Sequence, residues 1–466
     1  MTEAATNPCG GCQRLEAQLE QLQATVARLE EQLAAARKDS STSSKPPSSD
    51  IVKPSPPPPP GQDKRQPGGQ PGHPRHERDP FPTEQITLFL VHPLHTCPCC
   101  GGQLRRNGQE ALVVQQVDLQ PATLTIEQHT CPEYWCVNCA NHYKAALPEP
   151  IRKGGLVGPR LTTLIAYLKG FCHASYATIR KFLRDVVGVT ISRGQLAKVI
   201  AKVSDALDGP YQELLESLPG EDVLNVDETG HKNNGNRMWT WCFRASLYTL
   251  FKIDPYRSAD VLIEVLGKEF DGVLGCDCFS AYRRYMREFD VTLQFCLAHL
   301  IRDVKFLISL PGKKEQAYGT ALRDALRTLF RVIQQREKVP PGEFQTRLEA
   351  ARDGVLRAGQ HDVPTSRHAR AMAKRLQKYG EQYFTFVMTP GVEPTNNLAE
   401  QAIRFVVIDR HITQGTRSEG GQRWCERIWS VIATCTQQGR SVFDYLHAAV
   451  KAYFGEGVVP ALLPQG

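Results

Sequence analysis

Val223-Leu224-Asn225-Val226-Asp227-Glu228-Thr229-Gly230 begins with a short apolar run, 223–226, which is followed by two acids. An apolar run of this length is typical of a buried strand. A second short run, 272–275, ends near Asp277. Carboxylates at the ends of adjacent strands can share hard cations such as Mg²⁺, which prefers oxygen ligands. The sequence therefore predicts a sheet that presents acids where its strands end.

A third acid lies far along the chain, near the start of a predicted helix. Glu400 belongs to the stretch Pro394-Thr395-Asn396-Asn397-Leu398-Ala399-Glu400-Gln401-Ala402-Ile403-Arg404. In metal-dependent phosphoryl transfer, two ions about 3.5–4 Å apart activate a water or a 3′-hydroxyl and stabilise the leaving oxygen. Asp227, Asp277 and Glu400 are the carboxylates that would hold such ions.

The residues alone leave alternatives open for each of these acids. An Asp that follows a strand is often only a turn residue. The pattern Asn397-x-x-Glu400 also fits the cap of a helix. Glu228 and Glu393 are rival acids in the same two stretches. Spacing therefore makes the triad a hypothesis and does not select it.

The segment around these acids changes from strands to basic helices. The alternating run 239–245 and the run 247–253 are predicted to pair as a hairpin. The segment 297–379 is predicted to be helical. Between residues 300 and 380 there are seventeen Lys and Arg against eight Asp and Glu, an excess of +9 that is larger than the +7 of the whole chain. A solvated helical face explains part of this excess, but a phosphate-facing surface is favoured.

Cys296-x-x-His299, at the start of that basic segment, has the spacing of half a metal site. No second half lies nearby in the sequence. We therefore favour His299 as a contact to a DNA end or as a residue that orients the acids, with a core histidine as the alternative.

Two C-x-x-C knuckles, 35 residues apart, are the strongest metal signal in the chain. Four thiolates at this spacing fit a tetrahedral zinc site with Zn–S bonds of about 2.3 Å. Such a site folds a small module and leaves no open position for catalysis. Gly101 gives the backbone freedom to close the first turn, and Cys99 and Cys131 are spare thiols. The predicted ligands are Cys97, Cys100, Cys136 and Cys139.

The N-terminal region contains a predicted coiled coil and then a linker. Its apolar residues are spaced 4, 3, 4, 3, 4, which is the a/d seam of a coiled coil about three heptads long. Self-association is favoured over packing on the chain's own core, because a segment rich in Pro, Ser and Gly follows and cannot bury a core. The seam residues are Leu15, Leu19, Leu22, Val26, Leu29 and Leu33.

Between the cysteine module and the first acid the pattern becomes helical. An apolar stripe over 179–187 precedes Ser192, which is predicted to begin another helix. Two short helices around a Gly-containing turn resemble a DNA-binding helix-turn-helix. A generic helical pair accounts for the pattern at least as well.

Composition excludes several classes of protein. The 466 residues are 41% hydrophobic and 23% charged, which is ordinary globular usage. No stretch approaches the roughly 18 apolar residues that a membrane span needs, and Met1–Cys12 lacks the pattern of a secretory signal. We therefore expect an intracellular protein that does not enter a membrane.

Taken together, these motifs resemble those of transposases of the insertion sequence 66 family, which have a DDE catalytic core. The resemblance covers nearly the whole chain. It rests on the N-terminal zipper, Ser44-Lys45-Pro46-Pro47-Ser48-Ser49-Asp50, Gly68-Gly69-Gln70-Pro71-Gly72-His73, the two knuckles, Asp227-Glu228-Thr229, Asp277-x-x-Ser280-Ala281-Tyr282, Ala298-His299, Asn396-Asn397-x-x-Glu400-x-x-x-Arg404 and Asp444-Tyr445-Leu446.

The resemblance implies a multidomain α+β protein. Its ribonuclease-H-like α/β catalytic core would be interrupted by an α-helical insertion. The predicted domains are a coiled coil (1–38), a disordered linker (39–82), a zinc-binding module (83–150), a helical domain that includes the helix-turn-helix candidate (151–220), the first part of the core (221–295), the basic insertion (296–390) and the second part of the core with C-terminal helices (391–466).

The resemblance also implies an activity, which is metal-dependent DNA cleavage and strand transfer of a mobile element. Asp227, Asp277 and Glu400 would bind Mg²⁺ or Mn²⁺, and the knuckles would bind structural Zn²⁺. The expected partners are the element's terminal inverted repeats, target DNA, further copies of the chain and companion proteins, at the bacterial nucleoid in the cytoplasm. The candidate DNA contacts are His299, Arg302, Asn396, Asn397, Arg404 and Arg410.

The sequence departs from the family pattern in places, which leaves competing functions to consider. Family members often carry paired arginines just after the Ala-His motif, whereas this chain has only Arg302 there. The Arg-Lys pair that usually comes after Arg404 is replaced by Asp409-Arg410-His411. The three acids are intact, which argues against an inactive relic. The alternatives are a non-catalytic zinc-containing DNA-binding regulator derived from a transposase and a nuclease without strand transfer.

Overall fold

The computed structural model describes residues 10–36, 80–86, 88–91, 99–103, 113–116, 124–136, 138–139 and 141–463. The chain divides into two compact units. One is Val52–Ile126, and the other joins Met1–Ile51 to Glu127–Gly466. The predicted linker lies largely outside the described residues.

In the smaller unit, the described part contains a 3₁₀ turn at Thr83–Gln85. The side chain of Gln115 bonds to both backbone groups of Phe81, at 2.7 and 3.0 Å. Cys99, Cys100 and Gly101 form a turn in which Gly101 has a φ of 73°. This left-handed conformation suits glycine, as predicted for the first knuckle.

The larger unit begins with helix α1 (Gly10–Ala36), on which the predicted zipper lies. All six seam residues are between 50% and 67% exposed. The helix is attached to the rest of the unit, since His368 Nε2 lies 3.0 Å from Glu31 Oε1 and Ala34 packs against the hydrophobic core. Apart from this attachment, the apolar stripe of α1 faces solvent.

A two-stranded antiparallel hairpin follows, made of β1 (Glu133–Cys136) and β2 (Asn141–Lys144). The second knuckle spans its turn, with Cys136 at the end of β1 and Cys139 in the turn itself. The hairpin thus brings the two halves of this C-x-x-C motif together at one tip.

The central element is a mixed five-stranded sheet with the order β5-β4-β3-β6-β7. Neighbouring strands β3, β4 and β5 are antiparallel, and β3–β6 and β6–β7 are parallel. The predicted hairpin over 239–253 is therefore confirmed as β4 and β5. The strands are β3 (Val223–Asn233), β4 (Asn236–Arg244), β5 (Thr249–Asp254), β6 (Val273–Cys276) and β7 (Thr292–Phe295).

Helices make up most of the remaining chain, so the protein is a mostly helical α+β structure around one central sheet. Before the sheet they are α2 (Glu149–Gly154), α3 (Pro159–Gly170), α4 (Tyr176–Phe182), α5 (Arg193–Ala206) and α6 (Asp208–Ser217). Between strands they are α7 (Ala259–Leu266) and α8 (Ser280–Phe289). After β7 they are α9 (Leu297–Ser309), α10 (Lys313–Ile333), α11 (Pro341–Gln360), α12 (Arg367–Tyr379), α13 (Thr385–Met388), α14 (Asn397–Thr413), α15 (Glu419–Gln437) and α16 (Val442–Phe454).

Serine side chains begin several of these helices by accepting a backbone N–H from the first turn. This cap satisfies a donor that the helix itself cannot pair. Ser192 accepts from Gln195 at the start of α5, where the sequence predicted a helix to begin. The other serine caps are Ser175, Ser366, Ser418 and Ser441.

The helices before the sheet share their packing with the C-terminal helices. Helix α3 packs on α5 and α16, and α15 packs on both α5 and β5. The segment 151–220 is thus part of the compact unit that contains the sheet. Helices α4 and α5 flank Gly188, whose φ is 82°. The predicted helical pair is present, and its use as a DNA reader stays a prediction.

Among the helices that the structure describes, none is both long enough and apolar enough to cross a membrane.

Candidate functional site

The two predicted strand-end aspartates occupy equivalent positions on parallel neighbours. Strands β3 and β6 pair from Val223 to Asn225, where Asn225 lies opposite Gly275. Asp227 and Asp277 each lie two residues beyond this last pair. Adjacent strands are about 4.8 Å apart, so the two acids reach the same edge of the sheet together.

A close backbone approach fixes this edge. A Cβ atom on Gly275 would collide with the side-chain amide of Asn225, so only glycine fits there. That amide donates to the side-chain oxygen of Asn396 at 2.9 Å, and the amide of Asn396 donates to the carbonyl of Val226 at 2.8 Å. The start of α14 is thereby attached to β3 one residue before Asp227.

Asp227 is held in an environment that opposes its charge. Burial and the charges of Glu228, Asp277 and Glu400 raise its pKa well above the usual range. The backbone N–H of Glu228, 2.9 Å from Asp227 Oδ1, lowers it in part. The negative charges of neighbouring carboxylates repel one another, and a bound divalent cation relieves this repulsion.

The pKa of Asp277 is also raised. Burial and the charge of Glu228 raise its pKa to about 6. The backbone N–H of Phe279, 2.9 Å from Asp277 Oδ1, and the charges of Arg257 and Arg283 lower it. Its ordinary pKa is 3.8, so protonation competes with cation binding in mildly acidic solution.

Glu228, the rival acid on β3, has a different role in the structure. Its side chain is 1% exposed and forms an ion pair with Arg257. It also accepts a hydrogen bond from the hydroxyl of Tyr282. The Arg257 guanidinium in turn lies over the Phe279 ring, 3.9 Å from its centroid, and 4.9 Å from that of Trp239. Glu228 is therefore committed to contacts within the protein.

Glu400 lies in the first turn of α14, and its partners come from α9. Its Oε1 atom is 3.3 Å from Arg302 Nη2 and 3.5 Å from His299 Nε2. Its side chain is 24% exposed. Because α9 begins the basic helical segment and α14 follows it, the two ends of that segment meet beside the acids.

The negative charge of Glu400 contributes to the raised pKa of Asp227, as that of Asp277 does. Their oxygens are nevertheless not all within 4.8 Å of one another. Two ions about 3.5–4 Å apart do not require every ligand to touch every other. Carboxylates spaced in this way can still hold a pair of hard cations between them.

The remaining candidate DNA contacts fall into two groups. Asn397 and Arg404 are exposed on α14, and no ion pair joins Arg404 to Glu400 in the described chain. Asn396, in contrast, is 2% exposed, with its side chain bonded inside the protein. It therefore positions α14 and, as placed here, has no side-chain group available to a phosphate.

Arg410 and His299 are also engaged within the protein. The Arg410 guanidinium donates to the Thr229 hydroxyl at 3.1 Å and to the carbonyl of Gly230. Burial lowers its pKa. Burial and the charges of Arg302 and Arg375 lower the pKa of His299 to about 3. His299 is thus a neutral imidazole at physiological pH.

The zinc ligands are only partly described. Cys100 and Cys139 are exposed, and Cys97 and the side chain of Cys136 lie outside the described residues. Each knuckle is described by itself: the first contains the left-handed turn at Gly101, and the second spans the β1–β2 hairpin. The four-thiolate site stays a prediction.

Sequence reasoning missed the residues that surround Glu228. Arg257 lies in a loop between β5 and α7 and belongs to no motif recognised in the sequence. Tyr282 belongs to a recognised motif, but its partner could not be identified from spacing. The sequence signal that could have indicated a role for Tyr282 is its position five residues after Asp277.

Comparison with known proteins identifies the class of protein that carries this site. Residues 154–423, more than half of the chain, match the family model described as "Transposase IS66 family". Residues 95–140 match the "zinc-finger binding domain of transposase IS66", and residues 7–79 match a family of unknown function. The chain belongs to the transposase IS66 family, as its motifs predicted.

Relatives of the chain include two proteins from Sinorhizobium fredii. "Uncharacterized protein y4hP" is 23% identical over 404 residues, which cover 77% of this chain and 70% of the relative. "Uncharacterized protein y4qI" is 22% identical over 391 residues, with the same shares covered. Their names indicate no activity, so the chemistry rests on the family and on the site. The zinc-finger match supports bound zinc, and the family supports DNA as partner.

Proposed function

We infer that the chain cuts DNA strands at the ends of an insertion element and joins the freed 3′-hydroxyl to target DNA. The observation that carries this proposal is the equivalent placement of Asp227 and Asp277 on parallel strands, with Glu400 brought to the same cluster by α14. This is a DDE triad, with Mg²⁺ or Mn²⁺ as the expected cation.

The strand order supports a ribonuclease-H-like core. Three antiparallel strands, β3 to β5, are extended by two parallel strands, β6 and β7. In this reading, 221–295 and 391–466 form the two parts of the core, and 296–390 is the helical insertion. The first two acids come from one part and the third from the other, which explains the long sequence gap between them.

The chemistry divides between the bound cations and the chain's own groups. A divalent cation, when bound, lowers the pKa of a bound water and stabilises the leaving oxygen. Asp227 and Asp277 would hold the cations at the sheet edge. Arg302 and the neutral His299 would keep the carboxylate of Glu400 oriented. Arg404, one helical turn beyond Glu400 and exposed, would contact a phosphate of the DNA.

Other parts of the chain would bind the element ends and bring copies together. Cys97, Cys100, Cys136 and Cys139 would hold a structural zinc ion in the module 83–150. Helices α4 and α5, the basic insertion and Asn397 would contribute DNA contacts. The exposed leucine stripe of α1 (1–38) would form a coiled coil between copies. The expected setting is the nucleoid in the cytoplasm, together with companion proteins of the same element.

The central test compares a substitution at Asp227 with the same substitution at Asp222, which is not part of the proposed triad. Asp227→Asn should lower Mg²⁺-dependent nicking of DNA that carries the element's terminal repeats by at least about a thousandfold. The reason is that cation chemistry contributes several kcal/mol to transition-state stabilisation. Asp222→Asn, an exposed acid just before β3, should nick at the normal rate.

Measurements of nicking, DNA binding and strand joining also distinguish the transposase from the alternative functions. Nicking that survives Asp227→Asn rejects the triad. DNA binding without nicking in the unaltered chain would support a regulator. A pre-nicked end with a free 3′-hydroxyl, supplied with target DNA, tests strand transfer directly: cleavage without joining would support a nuclease.

A further inference from the structure

The structure supplies the second half of the Cys296-x-x-His299 motif. Cys296 precedes α9 and His299 lies in its first turn, while Glu400 lies in the first turn of α14. One ligand atom from each of the three lies within 4.8 Å of the other two. Across the described residues this is the single such group of three His, Cys, Asp or Glu side chains.

The imidazole of His299 is available as a ligand. Its Nδ1 atom is buried and has no hydrogen-bond partner in the described part of the chain. A buried ring nitrogen without a partner is costly, because it has lost its bond to water. Imidazole is the commonest side-chain metal ligand, and an ion would give the ring a partner that the protein does not supply.

The Cys296 sulfur is surrounded by backbone donors. The residue is 1% exposed, and its Sγ accepts the N–H of Asn396 at 3.2 Å. The backbone N–H groups of Ala298 and His299 also point to this sulfur. Hydrogen bonds to the charged form favour a thiolate. Burial opposes it, so the group is a thiol until a cation displaces its proton.

The mixture of ligands selects the kind of ion. Mg²⁺ prefers oxygen ligands and binds weakly to sulfur and nitrogen ligands. Thiolate, imidazole and carboxylate together suit zinc and its spectroscopic substitute cobalt. Binding would release the Cys296 proton to solvent, and the ion with one thiolate and one carboxylate has no net charge. Because Glu400 is already charged, exchanging one proton for a divalent ion raises the local charge by one unit, and Arg302 would then face a neutral site instead of a carboxylate.

We propose that Cys296, His299 and Glu400 form a site for a zinc-class divalent ion, separate from the cysteine module and from Asp227 and Asp277. Three protein ligands leave a fourth position open. The site shares Glu400 with the acidic cluster. A zinc-class ion bound here takes this carboxylate from the catalytic cations and inhibits cleavage, a consequence that rests on the proposed function.

The binding test uses the full-length chain with its cysteine module loaded with zinc, titrated with Co²⁺. A thiolate ligand gives cobalt a near-ultraviolet charge-transfer band. The unaltered chain should bind one more equivalent of Co²⁺ than Cys296→Ser and show a stronger band. Cys435→Ser, a buried cysteine in α15, is the matched control and should behave like the unaltered chain.

A second variant guards against a folding defect at Cys296. Glu400→Gln should weaken Co²⁺ binding at this site at least about tenfold while retaining the thiolate band at saturation. Equal Co²⁺ stoichiometry and equal spectra in the unaltered chain, Cys296→Ser and Glu400→Gln would overturn the proposal.

The inhibition test measures Mg²⁺-dependent nicking at increasing Zn²⁺, with each variant normalised to its own rate without zinc. The zinc concentration that halves nicking should rise at least about tenfold in Cys296→Ser and stay unchanged in Cys435→Ser. An equal value in all three chains overturns the inhibitory role. If the unaltered chain does not nick at all, the proposed function fails, and the cobalt titration still decides the metal site.

Discussion

The hydroxyl of Tyr282 donates a hydrogen bond to the carboxylate of Glu228. This bond joins the segment that follows the second acid, Asp277, to the residue that follows the first, Asp227. Arg257 completes the enclosure of Glu228. The relative position of the two aspartates thus depends on a buried polar network as well as on the pairing of their strands.

Tyr282→Phe should lower the free energy of unfolding by about 1–3 kcal/mol, because a buried carboxylate loses a donor. Urea denaturation measures this change. Tyr256→Phe, an exposed tyrosine, is the control and should change stability by less than about 0.5 kcal/mol. A double-mutant cycle with Glu228→Gln should show coupling between the two residues. Equal costs for the two tyrosine variants would refute the role of this bond.

Two adjacent asparagines provide a contrast between positioning and contact. Asn396→Ala should destabilise the protein by about 2–4 kcal/mol, because Asn225 and the carbonyl of Val226 lose their partners. Asn397→Ala should leave stability almost unchanged and weaken DNA binding, since this side chain is exposed. Urea denaturation and DNA titration distinguish the two. Identical behaviour in both assays would contradict this division of roles.

Arg404 is expected to contact a DNA phosphate. Arg404→Gln should weaken DNA binding for all sequences and reduce the slope of log affinity against log salt by about 1. Lys268→Gln is the matched control, since this exposed lysine precedes β6, whereas Asp277 follows that strand. A salt slope that is the same in Arg404→Gln and the unaltered chain would exclude the phosphate contact.

Glu426 predicts a pH dependence of stability that does not involve the metal ligands. Burial raises its pKa from 4.5 to about 7 in the folded chain, although the N–H of Ile253 donates to it at 2.6 Å. The folded state therefore holds this proton more tightly than the unfolded state. The resulting stability is fully present below pH 4.5 and is lost as pH rises through 7.

The contribution of Glu426 protonation to the free energy of unfolding is on the order of 3 kcal/mol. Glu426→Gln should remove it, so the difference in unfolding free energy between pH 5 and pH 8 should shrink relative to the unaltered chain. Glu419→Gln, at the exposed start of the same helix, should retain the full difference. The proposal about Glu426 fails if both variants titrate alike.

The leucine stripe of α1 predicts self-association. Leu22→Glu should raise the dissociation constant of the oligomer at least about a hundredfold, because each buried leucine contributes about 1.5–3 kcal/mol in every copy. Sedimentation equilibrium measures this change. Gln18→Glu, an exposed residue between the seam positions, adds the same charge and should have little effect. A chain that is monomeric before substitution would rule out the coiled coil.

Local patterns were sufficient to predict much of the sheet. Alternation identified the β4–β5 hairpin, and the apolar runs ending in Asp227 and near Asp277 identified β3 and β6. These signals are local, since a strand's side chains alternate along a few residues. The equivalence of the two acids was not predictable, because it depends on the register of parallel strands that are separated by a hairpin and a helix.

The contacts of the site required the folded chain. Glu228 appeared to be a rival metal ligand until its partners Arg257 and Tyr282 were located, 29 and 54 residues away. Asn396 appeared to be a DNA contact because it is polar and belongs to a motif. Burial and long-range hydrogen bonds decide both cases, and neither leaves a periodic signal in the sequence.

The helical segment 296–390 is closed at its base. The N–H of Leu297 bonds to the carbonyl of Pro394 at 2.9 Å, and Arg302 contacts Glu400. These contacts, rather than the helices between them, set the position of the third acid. The length of chain between the second and third acids is therefore open to evolutionary change. Helices could be added to or removed from this segment without moving Glu400 away from α9.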